Sequence, residues 1–150
     1  MLQDSYKDVI INSLQHLSIF NKIDVFAFVI MPNHIHLIWQ MQASRKRDNV
    51  QRDFLKHTAQ CIKDDMMKHH KKELANYLVN AKDRTYQFWE RNALSIDLWT
   101  EEVLLQKLNY LHQNPVRKGL SPFPEEYKYS SALFYKTGVD NWSFLTHYKS

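Results

Sequence analysis

The chain has 150 residues, of which 44% are hydrophobic and 24% are charged, which is the balance of one ordinary globular domain over residues 1–150. This composition excludes a wholly disordered chain, and the longest apolar run, Val25 to Met31, is far shorter than the roughly 20 residues that cross a bilayer. Cys61 is the single cysteine, so the sequence excludes an intrachain disulfide and a zinc site built on paired thiolates.

The N-terminus and the glycines narrow the functional classes further. Met1 to Lys7 has neither the basic start nor the apolar core of a secretory signal, which predicts a cytoplasmic protein with no membrane partner. Glycine occurs only at Gly119 and Gly138, so the glycine-rich loop that cradles nucleotide phosphates is missing and no nucleotide cofactor is expected. The net charge of +4 suits a polyanionic partner without identifying one.

Hydrophobic spacing predicts a helix, a hairpin and a second helix in the first half of the chain. We expect an amphipathic helix over Lys7 to Leu17. The β-branched and aromatic run Ile23 to Met31 predicts a strand covered on both faces, and the alternating run His34 to Gln40 predicts its hairpin partner. Apolar residues at helical spacing then predict a long second helix, namely Val50, Phe54, Leu55, Ile62 and Met66.

The second helix carries an excess of positive charge. Between Arg45 and Lys72 there are nine Lys or Arg residues and four acidic residues. Such a basic face suits the phosphates of nucleic acid, and a solvated helix surface with no partner has the same pattern, so both interpretations stay open. The candidate nucleic-acid contacts are Arg45, Lys46, Arg47, Arg52 and Lys56, together with Arg117 and Lys118 further along the chain.

The second half of the chain contains a short strand and a third helix. We expect the strand over Tyr86 to Trp89 and the helix from a Thr100 cap to about Gln113. The tail from Ser121 to Ser150 is predicted to be irregular with one short helix. The buried stripe expected on the third helix comprises Val103, Leu104, Leu105, Leu108 and Leu111, which leaves Tyr110 on a polar flank.

Two histidines on the second strand form a candidate metal site. Successive side chains of a strand alternate between its faces, so His34 and His36 share one face while Ile35, Leu37 and Trp39 can face the core. Two residues of strand separate the Cα atoms by roughly 7 Å, which allows both imidazoles to converge on one divalent cation. The alternative is a pair of exposed or hydrogen-bonded histidines that bind no ligand.

Tyr110 and Asn114 lie four residues apart near the end of the third helix. This spacing places both on one helical face, so a hydroxyl and a carboxamide oxygen can reach one site together. A purely structural role is the alternative, in which Asn114 caps a new helix, Pro115 is its first residue and Gly119 closes it.

These residues belong to four segments that occur in a distinctive order. The segments are VIMPNHIHLIW (Val29–Trp39), FW (Phe88–Trp89), YLHQNPVRKGL (Tyr110–Leu120) and YSSA (Tyr129–Ala132). In this order they resemble the single-tyrosine HUH transposases of small bacterial insertion sequences, and most closely the REP-associated tyrosine transposases. The resemblance covers nearly the whole chain.

The resemblance implies a fold, a site and a reaction. The fold is an α/β (α+β) ferredoxin-like sandwich with an antiparallel sheet, and the protein is a homodimer that acts on single-stranded or hairpin DNA. A magnesium or manganese ion is held by His34, His36 and Asn114, and Tyr110 attacks a phosphodiester to give a 5′-phosphotyrosine and a free 3′-OH. Two other classes stay open, a catalytically inactive nucleic-acid-binding remnant and a metal-dependent phosphodiesterase that uses water.

The chain departs from the family at its start. An additional strand precedes the first helix in the family, whereas only Met1 to Tyr6 lie upstream of it here. We therefore expect a sheet that lacks this strand, with unpaired backbone groups beside the histidine strand unless a partner chain or a rearranged segment covers them. A start codon assigned too far downstream, a degenerate remnant and a shortened fold that dimerises are the three explanations.

Overall fold

A computed structural model describes residues 4–20, 23–32, 34–41, 47–77 and 100–149. The antiparallel hairpin and the helices within these residues confirm the expected α+β class. None of the described helices is long and apolar enough to cross a membrane. The elements, in chain order, are α1 (Asp4–Ile19), β1 (Ile23–Ile30), β2 (Ile35–Met41), α2 (Arg47–His69), α3 (Lys71–Leu74), a 3-10 turn (Ala75–Tyr77), α4 (Glu101–Arg117), a second 3-10 turn (Pro124–Glu126) and α5 (Ala132–Thr137).

Helices cover the two faces of the hairpin. On β2, Trp39 packs edge-on against Phe54 of α2 with ring centroids 5.8 Å apart, and Ile35 and Leu37 belong to the same apolar cluster. The neighbouring Ile38 belongs to a second cluster with Leu108 and Leu111 of α4. Because strand side chains alternate, α1 and α2 lie on one side of the hairpin and α4 on the other. The described elements therefore form three layers.

A bulge in β1 changes which of its residues face each helical layer. Val25 pairs with Trp39 but Ala27 pairs with Ile38, so β1 has one residue more than β2 at this point. Before the bulge the odd-numbered residues face α1 and α2, and after it the even-numbered residues do. The strand is buried on both faces, as its composition predicts.

The C-terminal tail lies along the edge of β1 that β2 does not occupy. Short bridges join Val29 to Ser130 and Val25 to Leu145. Side chains complete the hydrogen bonding, since the Tyr127 hydroxyl donates to the carbonyl of Ile30 at 2.6 Å. Further side-chain bonds run from the Tyr135 hydroxyl to Phe26 O and from Phe28 N–H to Ser131 Oγ, and the backbone N–H of Thr146 donates to Val25 O.

The tail therefore covers the hairpin along its β1 edge. Within the described residues, no strand pairs with the outer edge of β2, which is the edge at which the sequence predicts a gap. The strand predicted over Tyr86 to Trp89 lies outside the described residues.

Helix α4 ends later than predicted and includes Pro115. It runs to Arg117 rather than to about Gln113, and Gly119 follows with a left-handed φ of 73°. The proposed cap of a new helix at Asn114 is therefore wrong, because Asn114 lies inside α4. Pro115 lacks the N–H that would bond to the Leu111 carbonyl, and its own carbonyl accepts a hydrogen bond from Leu120 N–H at 2.8 Å.

The buried stripe of α4 also differs from the prediction at one position. Leu105 is 42% exposed, while Leu104 packs against the cluster formed with the hairpin. Leu104, Leu108 and Leu111 follow the spacing of four and three residues that one helical face requires, and Leu105 is rotated about 100° away from Leu104.

Candidate active site

The hairpin and α4 bring together residues that are 80 positions apart. The Nε2 atom of His34 lies 3.1 Å from Nδ2 of Asn114. The rings of His34 and His36 are nearly perpendicular, with centroids 4.9 Å apart. The predicted histidine pair and the predicted amide are therefore neighbours in the fold.

Tyr110 lies at the rim of the same group. Its ring meets the ring of His36 edge-on, with centroids 6.4 Å apart and planes at 84°. The tyrosine is 55% exposed, whereas Asn114, one turn further along α4, is 5% exposed. The site thus has a buried amide at its base and an accessible phenol at its rim.

Strand alternation and helical spacing position these groups. His36 lies opposite Val29 in the hairpin register, on the face of β2 that also carries Ile38. His34 directly precedes β2, and its carbonyl accepts a hydrogen bond from Met31 N–H at 2.8 Å, which closes the turn between the strands. Because α4 packs on this face through Leu108 and Leu111, its next residues reach the histidines.

The side chains at this site could serve as ligands of a divalent cation that accepts both nitrogen and oxygen ligand atoms. Two imidazoles and one carboxamide converge, and a half-turn of the Asn114 amide presents its oxygen in place of its nitrogen. Such a mixed set suits manganese better than magnesium. In the part of the chain that the structure describes, no three His, Cys, Asp or Glu side chains come together, so an amide oxygen would be the third protein ligand.

His112 is a further buried group beside the site, to which the sequence analysis assigns no role. Its Nε2 atom lies 2.7 Å from Ser131 Oγ, and that hydroxyl accepts a hydrogen bond from Phe28 N–H at 3.0 Å. Burial lowers the pKa of His112 to about 4, so the imidazole is neutral at physiological pH. The sequence could have indicated that His112 is buried, because it follows Leu111, lies three residues before Pro115 and falls on the buried side of α4.

The predicted nucleic-acid contacts fall into separate regions. Arg117 and Lys118 lie at the end of α4, and the guanidinium carbon of Arg117 is 4.0 Å from the Tyr110 ring centroid. Arg52 and Lys56 are exposed on α2, on the other side of the hairpin. Arg45 and Lys46 lie outside the described residues, and Arg47 is the first residue of α2.

The arrangement offers a hydroxyl nucleophile, a set of cation ligands and an arginine within one small region. These are the groups that phosphoryl transfer requires. No protein-family model, curated protein or solved structure matches this chain at a significant level.

Proposed function

We propose that this protein is a DNA transposase-like enzyme that cuts and rejoins single-stranded or hairpin DNA through a tyrosine. The observation that carries the proposal is the convergence of His34, His36 and Asn114 beside the exposed ring of Tyr110. Each of these residues matches a position of the HUH transposase motifs. We also propose that the protein is cytoplasmic, that its complete fold is a ferredoxin-like sandwich and that it acts as a homodimer.

His34, His36 and Asn114 would hold a magnesium or manganese ion. When bound, the cation supplies Lewis-acid polarisation of the scissile phosphate. The protein fixes the three ligands from two elements, the end of the hairpin turn and the last turns of α4. Asn114 is held most firmly because it is 5% exposed, and its burial keeps water from competing for the base of the site.

Tyr110 supplies the nucleophile. Its hydroxyl oxygen attacks phosphorus, the new bond joins the tyrosine to the 5′-phosphate, and the bond from phosphorus to the 3′ oxygen breaks. The proton lost from the phenol is matched by the proton gained at the 3′-OH. The energy of the phosphodiester stays in the phosphotyrosine link, so a 3′-OH can reverse the reaction without a nucleotide cofactor.

The decisive experiment is detection of a covalent protein–DNA adduct. The protein is incubated with manganese and single-stranded fragments of the DNA that flanks its own gene, then analysed on denaturing gels and by mass spectrometry. We expect an adduct with the native chain and with Tyr148→Phe, a matched phenol-to-phenyl change in the tail. Tyr110→Phe and His36→Ala should form none.

The other two functional classes predict different results. Cleavage without an adduct, retained in Tyr110→Phe, would replace the proposal with a metal-dependent phosphodiesterase. Binding without cleavage would replace it with a nucleic-acid-binding remnant. A protein that neither binds nor cleaves these fragments would contradict all three.

A further inference from the structure

Arg117 makes two contacts with the residue that the proposed function uses as its nucleophile. The guanidinium carbon lies 4.0 Å from the centroid of the Tyr110 ring, within the range of a cation–π contact. One guanidinium nitrogen also donates a hydrogen bond to the backbone carbonyl of Tyr110 at 2.9 Å. Both contacts come from a side chain two turns further along the same helix.

The two contacts constrain the tyrosine in different ways. The hydrogen bond fixes the guanidinium to the backbone of α4, and the guanidinium carbon then lies over one face of the phenol ring. The ring of His36 meets the phenol edge-on from the strand side. A tyrosine that is 55% exposed would otherwise exchange among rotamers, so these contacts reduce the conformations from which it can attack.

We propose that Arg117 is a positioning residue for Tyr110, which it holds beside the histidine pair through a guanidinium that lies over the phenol ring and is anchored to the helix backbone. The inference rests on the proposed function and deepens it by giving Arg117 a role beyond attraction of the DNA backbone. A surface cation that only attracts phosphate changes affinity, whereas a residue that orients the nucleophile changes the rate of the bound complex.

The test separates rate from affinity. The rate of adduct formation is measured at saturating DNA, and the dissociation constant is measured separately with the Tyr110→Phe background, which binds without reacting. We expect Arg117→Met to slow the saturated rate by about 10- to 100-fold. Arg117→Lys should recover only part of this loss, because an ammonium keeps the charge but lacks the planar guanidinium that can lie over the phenol ring. The matched control is Lys107→Met, which removes one positive charge from the same helix and should leave the saturated rate unchanged.

A second measurement tests the contact without any DNA. The side-chain protons of Arg117 lie over an aromatic ring, so ring current should shift their NMR signals upfield in the native chain. Tyr110→Leu should abolish this shift. Unshifted Arg117 signals in the native chain would overturn the inference whatever the enzyme assay shows.

The outcomes distinguish the inference from the function on which it rests. If the native chain forms the adduct and Arg117→Met forms it at the same saturated rate, the positioning role is wrong and the proposed function stands. If the native chain forms no adduct, the proposed function is wrong and the positioning role fails with it. A slower saturated rate in Arg117→Met, with the native ring-current shift, supports both.

Discussion

At the scale of single residues, the contact between His34 and Asn114 joins the hairpin to α4. The amide is buried and lies 3.1 Å from the imidazole nitrogen, so in the apo protein each group can satisfy the other. A cation would replace this contact with two bonds to the same ion. The imidazole and the amide are therefore already neighbours, although Asn114 would have to turn its amide by half a turn to present its oxygen to an ion.

We expect manganese to bind the native chain and to raise its melting temperature. His36→Ala and Asn114→Ala each remove one ligand and should weaken manganese binding by at least about tenfold. Isothermal titration calorimetry measures the affinity directly. His57→Ala changes an exposed histidine of α2 and should bind manganese as the native chain does. Equal affinities in all four proteins would contradict the ligand assignment.

His112 links protonation to stability. Its pKa is about 4 in the folded protein because burial disfavours the charged imidazole, and its ordinary value is 6.5. The unfolded chain therefore binds a proton between these two pH values while the folded chain does not, so stability falls as the pH drops from about 6.5 to 4. The full difference of 6.5 to about 4 corresponds to about 3 kcal/mol.

Denaturant unfolding measured from pH 7 to pH 4 tests this linkage. We expect His112→Gln to lose most of the pH-dependent term of His112, because glutamine does not titrate and can still bond to Ser131. His147→Gln, in the tail, serves as the matched control and should keep the native slope. An unchanged slope in His112→Gln would mean that the imidazole is not the group responsible.

At the scale of elements, the tail substitutes side chains for part of a neighbouring strand. Ser131 has no exposed surface, and its Oγ lies within hydrogen-bond distance of three groups, the Phe28 N–H and carbonyl of β1 and the imidazole of His112 in α4. Tyr127 reaches the Ile30 carbonyl in the same way, and its burial raises its pKa to about 12, so it remains a neutral donor. The tail therefore fixes α4 to β1 as well as covering an edge.

Ser131→Ala should destabilise the protein by about 2 to 4 kcal/mol, because it leaves a buried N–H and a buried imidazole nitrogen without a partner. Chemical unfolding at pH 7 measures the change. Ser121→Ala removes a hydroxyl whose hydrogen bond is exposed, and it should cost less than about 0.5 kcal/mol. Similar losses in the two variants would show that the tail contributes little to the stability of β1.

The elements that the sequence predicts best are those with strong periodicity. Helix α1, the hairpin and α2 follow from helical spacing and strand alternation, and the bounds differ by a few residues. The end of α4 is not predictable in this way, because Pro115 and Gly119 fit equally well as the start and end of a new helix. Which solution forms depends on the packing of Leu108 and Leu111 against the hairpin.

The candidate site shows the same division between local and tertiary information. The shared face of His34 and His36 follows from alternation, and the shared face of Tyr110 and Asn114 follows from helical spacing. Their contact with one another depends on the crossing of α4 over β2, which no local pattern specifies. The role of His112 depends on Ser131, a tail residue whose position against β1 is set by tertiary hydrogen bonds.

At the scale of the whole molecule, the layers separate two groups of positive charge. Arg117 contacts the Tyr110 ring and Lys118 follows it at the end of α4, whereas Arg52 and Lys56 project from α2, which packs on the opposite face of the hairpin. Arg52 also pairs with Asp53 at 3.3 Å on the exposed surface of α2, which reduces its local charge. A strand bound at Tyr110 would meet the α4 group first.

The salt dependence of DNA binding tests which group contacts the strand. Each phosphate contact with single-stranded DNA contributes a slope of about −0.7 to the plot of log affinity against log salt. We expect Lys118→Gln to reduce the slope by about this amount, since one contact is lost.

The double variant Arg52→Gln with Lys56→Gln removes two charges but should change the slope less than Lys118→Gln does, because α2 lies behind the hairpin. Fluorescence anisotropy between 50 and 200 mM salt, a range of about fourfold, measures all three slopes. A larger effect of the α2 double variant would place the strand across α2 and would remove the main electrostatic support for binding at Tyr110.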